Sequence, residues 1–136
     1  MLTTTQVEDY RKRGCLEVEG ILTELEVEEL RRVTDDFVEQ SRRVTEHTDI
    51  FDLEPGHTSE FPKLRRLKRP HMVHEVYDRT LRNKRILDIV SQLVGTPSVR
   101  FLDTKLNMKS GGFGSPIEWH QDWAVSYTHL TLPTIL

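Results

Sequence analysis

Two residues near the end of the chain, His120 and Asp122, have the types and the spacing of neighbouring metal ligands. On a β-strand, residues i and i+2 point to the same face, so an imidazole and a carboxylate can occupy adjacent positions on one metal ion. Such a pair supplies two of the three ligands of the two-histidine, one-carboxylate triad of non-haem iron(II) oxygenases. The pair alone is weak evidence, because His47-Thr-Asp49 has the same spacing. We expect that second pair on the surface, at the frayed end of a charged helix.

The elements that must position this pair are predicted to be strands. Gly95 and Pro97 end a helix, and the pattern of residues 98–109 then changes to a period of two. The polar set on one face of this strand consists of Asp103, Lys105, Asn107 and Lys109. Such a row could line a wet cavity or could be a solvated outer row, and the pattern leaves both open. After a glycine-rich turn, a second strand is predicted at 117–123.

The segment from residue 106 to residue 122 resembles the phytanoyl-CoA dioxygenase family, and ectoine hydroxylase within it. Its sequence is Leu-Asn-Met-Lys-Ser-Gly-Gly-Phe-Gly-Ser-Pro-Ile-Glu-Trp-His-Gln-Asp. In the family, a strand ending in Leu-Asn-x-Lys precedes a glycine-containing turn and then Trp-His-x-Asp. The resemblance is close here and loose over the upstream helices. It implies an α+β fold, with N-terminal helices packed on the first strands of an incomplete double-stranded β-helix, or jelly roll.

The resemblance also implies roles for particular residues. His120 and Asp122 would bind iron(II), and Asn107 and Lys109 would contact 2-oxoglutarate. Asp103 falls where ectoine hydroxylase has a substrate-contacting glutamine, so it would contact a substrate other than ectoine. The implied reaction is the hydroxylation of a small molecule or acyl conjugate, with iron(II) as cofactor and with 2-oxoglutarate and dioxygen consumed. The alternative is a non-catalytic jelly-roll domain that binds a ligand or partner.

The end of the chain departs from the family pattern. In the family, a second metal histidine and a 2-oxoglutarate-binding arginine lie much later, and His129 is too close to Asp122 to replace that histidine. The run Val125-Ser-Tyr-Thr-His-Leu130 is what one reading frame of GTC TCT TAT ACA CAT CT would encode, and that string resembles the end of a transposase-based sequencing adapter. We expect residues 1–124 to be the N-terminal part of a dioxygenase-like domain and residues 125–136 to be an adapter-derived tail, with a genuine C-terminus as the alternative. An inactive fragment is expected.

Upstream, periodicity and capping signals predict helices with short interruptions. The predicted elements are a helix capped within residues 3–5 and ended by Gly14 after about residue 13, a strand at 15–19, a helix from 24 to about 44, a loop at 46–62 and a helical stretch at 71–94 with a break near 78. Thr23-Glu-Leu-Glu26 has the spacing of a capping box. The apolar residues expected to face inward are Leu25, Leu30, Val33, Phe37 and Val44 in the long helix and Ile86, Ile89, Val90 and Leu93 in the last.

Composition excludes several classes of function. The chain has 136 residues, of which 36% are hydrophobic and 30% charged, and its formal charge is -3, so we expect no general nucleic-acid binding. It contains no apolar run of membrane-spanning length, and its single cysteine, Cys15, is expected to be packed and suits a reducing, cytoplasmic setting. The basic segment 63–69 could be a solvated face or a contact for an anionic substrate.

Overall fold

Groups of helices are separated by short strands in the computed structural model, which describes residues 1–112 and 114–120. The elements are α1 (Thr4–Arg13), α2 (Glu24–Ser41), β1 (Phe51–Leu53), β2 (Leu64–Lys68), α3 (Pro70–Val73), α4 (Glu75–Leu81), α5 (Lys84–Val94) and β3 (Lys105–Asn107). The strands form one antiparallel sheet in the order β1-β2-β3. Helices beside a small antiparallel sheet agree with the predicted α+β class, whereas the incomplete jelly roll stays a prediction.

The first two helices begin where the sequence predicted. Thr3 and Thr23 are the N-caps, and each accepts a hydrogen bond from the backbone N–H three residues later. The Glu26 carboxylate accepts from the backbone N–H of Thr23 at 2.7 Å, which completes the predicted capping box. Gly14 and Gly95 end α1 and α5 with φ values of 76° and 80°, a left-handed conformation that glycine adopts without a Cβ clash.

A β-bulge decides which side chains of β2 face the core. Asp52 pairs with Arg66, whereas the next residue of β1, Leu53, pairs with Leu64, so Arg65 is an extra residue in β2. On a regular strand, Leu64 and Leu67 would point to opposite faces, because they are three residues apart. With the bulge, both are buried.

The core lies between the apolar face of this sheet and the helices α2 and α4. It consists of Val33, Phe37, Phe51, Leu53, Leu64, Leu67, Val76 and Tyr77. Phe37 is at its centre, with ring centroids 6.3 Å from Phe51 and 6.2 Å from Tyr77. The Tyr77 hydroxyl lies 2.8 Å from Oγ1 of Thr34, so its polar end is also satisfied. The opposite face of the sheet therefore carries the polar side chains.

The apolar face predicted for α2 is confirmed only over its C-terminal part. Val33 and Phe37 are buried and Leu30 packs against the core, but Leu25 is 77% exposed. Leu25 lies in the first turn of the helix, ahead of the part that covers the sheet. The stripe predicted for α5 is half-buried, because α5 packs chiefly on α1 and not on the main core.

Several element boundaries differ from prediction. The segment 15–19 is not a strand: Leu16 and Val18 are half-buried between exposed neighbours, but no partner strand pairs with them among the described residues. Cys15 is accordingly exposed and not packed. The predicted loop 46–62 contains β1, and the basic segment 63–69 contains β2.

Differences of the same kind occur later in the chain. The helical stretch breaks at His74 and again at residues 82–83, because His74 and Asn83 cap the helices that follow them, whereas Asp78 lies inside α4. The strand predicted at 98–109 is reduced to Lys105–Asn107, the part that pairs with β2, and residues 117–120 have no strand pairing. None of the helices in the described ranges has the length and apolar character that a membrane crossing requires.

We predict that Leu67→Ala in the full-length protein lowers the free energy of unfolding by about 2–5 kcal/mol, because the Leu67 side chain is 0% exposed and its removal leaves a cavity. Leu25→Ala is the matched control. Its effect should stay within about 0.5 kcal/mol, since Leu25 is largely in solvent. Urea unfolding followed by circular dichroism measures both. Equal losses for the two variants would contradict this description of the core.

Candidate metal and co-substrate site

The predicted alternation along β3 is present from Thr104 to Lys109. Leu106 and Met108 pack against the core, whereas Asn107 and Lys109 are exposed on the other side. The two residues expected to contact 2-oxoglutarate therefore share the polar face of the sheet. Asp103, the expected substrate contact, is exposed just before β3.

A hydrogen-bonded row crosses this polar face. Asp52, Arg66 and Asn107 are direct partners in the register of the three strands. The Nε–H of Arg66 donates to Oδ1 of Asn107 at 3.0 Å, and Nη1 of Arg66 lies 3.5 Å from Oδ2 of Asp52. The Nζ of Lys68 lies 3.1 Å from Oδ1 of Asp52. The basic segment 63–69 is therefore not a uniform solvated face: two of its cations are paired with Asp52.

A second constellation lies at one end of the sheet, where β1 and β3 both finish. Glu54, directly after β1, is only 6% exposed. Its Oε1 accepts from the Ser115 backbone N–H at 3.0 Å, and its Oε2 accepts from the Ser115 hydroxyl. These hydrogen bonds from Ser115, with smaller contributions from the positive charges of Arg65 and Lys109, lower the pKa of Glu54. Glu54 thus remains an anion that ties the segment after the glycine-rich turn to the end of β1.

The turn itself packs against Lys109. Gly114 has φ 146°, and a Cβ at this position would lie 3.4 Å from Cγ of Lys109. Gly112 also has a positive φ, of 70°. Glycine lets the backbone approach the stem of Lys109 in conformations that other residues rarely adopt. The turn therefore leads the chain from the polar face of β3 towards Ser115 and, five residues later, His120.

His120 is exposed, and its imidazole has a defined hydrogen bond. Its Nδ1 lies 2.7 Å from the carbonyl oxygen of Glu118. A carbonyl only accepts, so Nδ1 carries the proton, and in the neutral ring the lone pair is on Nε2. Metal-binding histidines are commonly oriented in this way, with one ring N–H on a carbonyl and the other nitrogen on the metal. The donor chemistry of His120 therefore fits a metal ligand, while Asp122 lies outside the described residues.

The remaining histidines of the described part have structural partners. His71 is hydrogen bonded to Thr104 and His74 caps α4, while Nδ1 of His47 accepts from the backbone N–H of Leu53 at 3.0 Å and Nδ1 of His57 from that of Lys63 at 2.9 Å. His47 and Asp49 are exposed, as expected for a surface pair. Within residues 1–112 and 114–120, no three His, Cys, Asp or Glu side chains are grouped closely enough to hold a metal ion.

Three residues beside the candidate site were not predicted from the sequence: Asp52, Glu54 and Arg66. Asp52 and Glu54 lie in a segment predicted to be a loop, and Arg66 lies in a run whose face assignment depends on the bulge at Arg65. The only available signal was the basic run 63–69, which the sequence left open as a contact for an anion.

Comparison with known proteins places these features in a family. The family model described as phytanoyl-CoA dioxygenase (PhyH) matches residues 10–135. The chain belongs to the phytanoyl-CoA dioxygenase family. It is also similar to a curated protein of Stutzerimonas stutzeri named "Probable alpha-ketoglutarate-dependent hypophosphite dioxygenase", with 26% identity over 124 residues. That alignment covers 91% of this chain and 42% of the relative, so the chain spans less than half of the relative's length.

Family membership agrees with the resemblance that the segment 106–122 carried, and dioxygenases of this type use iron(II) and 2-oxoglutarate. In this member of the phytanoyl-CoA dioxygenase family, two sets of contacts involve residues of the segment that leads to His120. One is the hydrogen-bonded row through Arg66, and the other is the tether from Glu54 to Ser115. Each joins the segment that carries the motif to a residue more than 40 positions away in the sequence.

We predict that Ser115→Ala raises the pKa of Glu54, because the variant loses the hydroxyl donor and retains only the backbone N–H. A lowered folded-state pKa stabilises the fold above the unfolded-state pKa, and this stability is lost as the pH falls through the folded-state value. On acidification, the free energy of unfolding should therefore fall less for the variant than for the unsubstituted protein. Carboxyl ¹³C NMR titration of the full-length protein measures the pKa. Ser110→Ala, an exposed serine before the turn, is the control, and an unchanged Glu54 pKa in Ser115→Ala would contradict the tether.

Proposed function

We propose that this chain is the N-terminal part of an iron(II)- and 2-oxoglutarate-dependent hydroxylase that acts on a small molecule or acyl conjugate. One observation carries the proposal. Asn107 and Lys109 share the polar face of the sheet, and a glycine-rich turn packed on Lys109 leads from that face to His120, all within the family match. Iron(II), when bound, would supply the activation of dioxygen that the oxidation of a substrate requires.

His120 and Asp122 are the proposed protein ligands of the iron. The Nδ1–H of His120 donates to the Glu118 carbonyl, which fixes the tautomer with Nε2 as the coordinating atom. Asp122, two residues later, would supply the carboxylate of the triad. The tether between Glu54 and Ser115 would hold the start of this segment over the polar end of the sheet.

Asn107 and Lys109 are the proposed contacts of 2-oxoglutarate. The ammonium group of Lys109 is a compact cation that suits a carboxylate, and the Asn107 amide offers N–H donors. Both lie on or beside a paired strand whose other face is packed on the core, so the backbone that carries them is held in place. The rival is a non-catalytic domain in which His120 and Asp122 only make hydrogen bonds.

The charge of the polar face favours a narrower class of substrate, one with an anionic group. Lys105 is the register partner of Lys68, and like charges opposite each other on a sheet are unfavourable unless an anion lies nearby. Asp52 balances part of this charge. The similar protein from Stutzerimonas stutzeri is named for hypophosphite, which is a small anion. Direct assay of hypophosphite alongside acyl conjugates tests this narrower proposal.

The complete catalytic unit is proposed to extend beyond these residues. The relative is more than twice as long as the matched segment, and we propose that its later strands correspond to those bearing the second metal histidine and the 2-oxoglutarate-binding arginine. Residues 125–136 lie outside the described residues, and their adapter origin stays a prediction, although the family match extends to residue 135. The uninterrupted reading frame of the source DNA tests it. A reducing cytoplasm is the proposed location.

We predict that His120→Ala and Asp122→Ala in the full-length enzyme each reduce iron-dependent turnover of 2-oxoglutarate by more than about 100-fold, because loss of one of three ligands weakens metal binding and alters its geometry. Succinate release and iron(II) affinity measure the effect. His47→Ala, in the second His-x-Asp pair, is the matched control and should leave turnover unchanged. Near-normal succinate release by both site variants would favour the non-catalytic rival.

We also predict that the 136-residue chain alone is inactive, whereas residues 1–124 joined to their native continuation are active. Two protein ligands would hold iron weakly, and the edges of the three-stranded sheet, which pair with no further strand among the described residues, would favour aggregation of the short chain. Parallel expression of both proteins, with assays of solubility, iron(II) binding and 2-oxoglutarate decarboxylation, makes the comparison. A soluble short chain that binds iron tightly and turns over would overturn the prediction.

A further inference from the structure

The row formed by Asp52, Arg66 and Asn107 gives Arg66 a position between an anion and an amide. The three residues are consecutive partners across the sheet, so their side chains leave the same face side by side. The guanidinium of Arg66 reaches both neighbours. Its Nε is 3.0 Å from Oδ1 of Asn107, and its Nη1 is 3.5 Å from Oδ2 of Asp52.

This contact fixes which end of the Asn107 amide points away from Arg66. Arginine has only donors, so Asn107 must turn its oxygen towards the guanidinium. The Nδ2 group, with two N–H donors, is then directed elsewhere. A carboxylate only accepts hydrogen bonds, so this orientation suits a carboxylate ligand. With the amide turned over, an oxygen would face the carboxylate and repel it.

Asp52 in turn restrains Arg66. The side chains of Asp52 and Arg66 are 22% and 33% exposed, so the pair is partly removed from solvent. Asp52 also lies 3.1 Å from Nζ of Lys68, which limits its own freedom. Asp52 and the Asn107 amide therefore hold the guanidinium of Arg66 from two sides.

We propose that Arg66 is a positioning residue, which orients the Asn107 amide so that Nδ2 donates to a carboxylate of 2-oxoglutarate, with Asp52 as the anchor of Arg66. The inference rests on the proposed role of Asn107 as a 2-oxoglutarate contact. Arg66 itself does not touch the co-substrate, so its whole effect on binding passes through Asn107.

A double-mutant cycle in the full-length enzyme tests this, with variants Arg66→Gln, Asn107→Ala and the double variant. We expect Arg66→Gln to raise the KM for 2-oxoglutarate by about 5- to 10-fold, with kcat changed less than about twofold, because a correctly oriented hydrogen bond to a charged group is lost. In the Asn107→Ala background, Arg66→Gln should have no further effect. Arg82→Gln is the matched control, since the Nε of Arg82 also donates to a carboxylate, that of Asp78 in α4, which does not belong to the row.

The outcomes separate this inference from the proposed function. If Asn107→Ala leaves the KM for 2-oxoglutarate unchanged, the assigned role of Asn107 is wrong and the inference is overturned with it. If Asn107→Ala raises KM but Arg66→Gln does not, only the positioning role is overturned. An equal effect of Arg66→Gln with and without Asn107 would also overturn it, because Arg66 would then act directly. Should Arg66→Gln not fold, Asp52→Asn keeps the packing volume and should show the same Asn107-dependent rise in KM.

Discussion

The apolar face of the three-stranded sheet is the constraint on which the rest of the described structure depends. The helices α2 and α4 cover it, and Leu67, which is fully buried, lies on its central strand. Since neighbouring residues of a strand alternate between faces, packing of Leu67 and Leu106 on the core side turns Arg66 and Asn107 to the opposite face. The packing of the core therefore also determines which side chains form the polar row.

The ion pairs on the polar face hold side chains in position more than they stabilise the fold. Asp52, Arg66 and Lys68 keep between a fifth and a third of their side-chain surface in solvent, where such pairs add little free energy. Their effect is to limit the conformations of side chains that stand beside Asn107. Positioning of this kind matters for binding because a preorganised donor loses less entropy when a ligand arrives.

The tether between Glu54 and Ser115 has a comparable effect on the backbone. It joins Glu54, at the end of β1, to Ser115, which lies 61 residues further along the chain in the segment that leads to His120. Glu54 is buried and ionised, and Ser115 supplies both a side-chain and a backbone donor to it. The glycine-rich turn can therefore follow an unusual path beside Lys109 and still deliver the motif to a defined place.

The sequence by itself determined the features that depend on local chemistry. These are the capped starts of α1 and α2, the glycine ends of α1 and α5, the parity of residues 104–109 and the family motif around His120. The tertiary structure alone decided that 51–53 and 64–68 are strands, that Leu25 is in solvent, and that Asp52, Glu54 and Arg66 belong beside the motif. Strand pairing, a bulge and contacts between residues 41 and 61 positions apart set these features, and no local pattern of residue types encodes a distant partner.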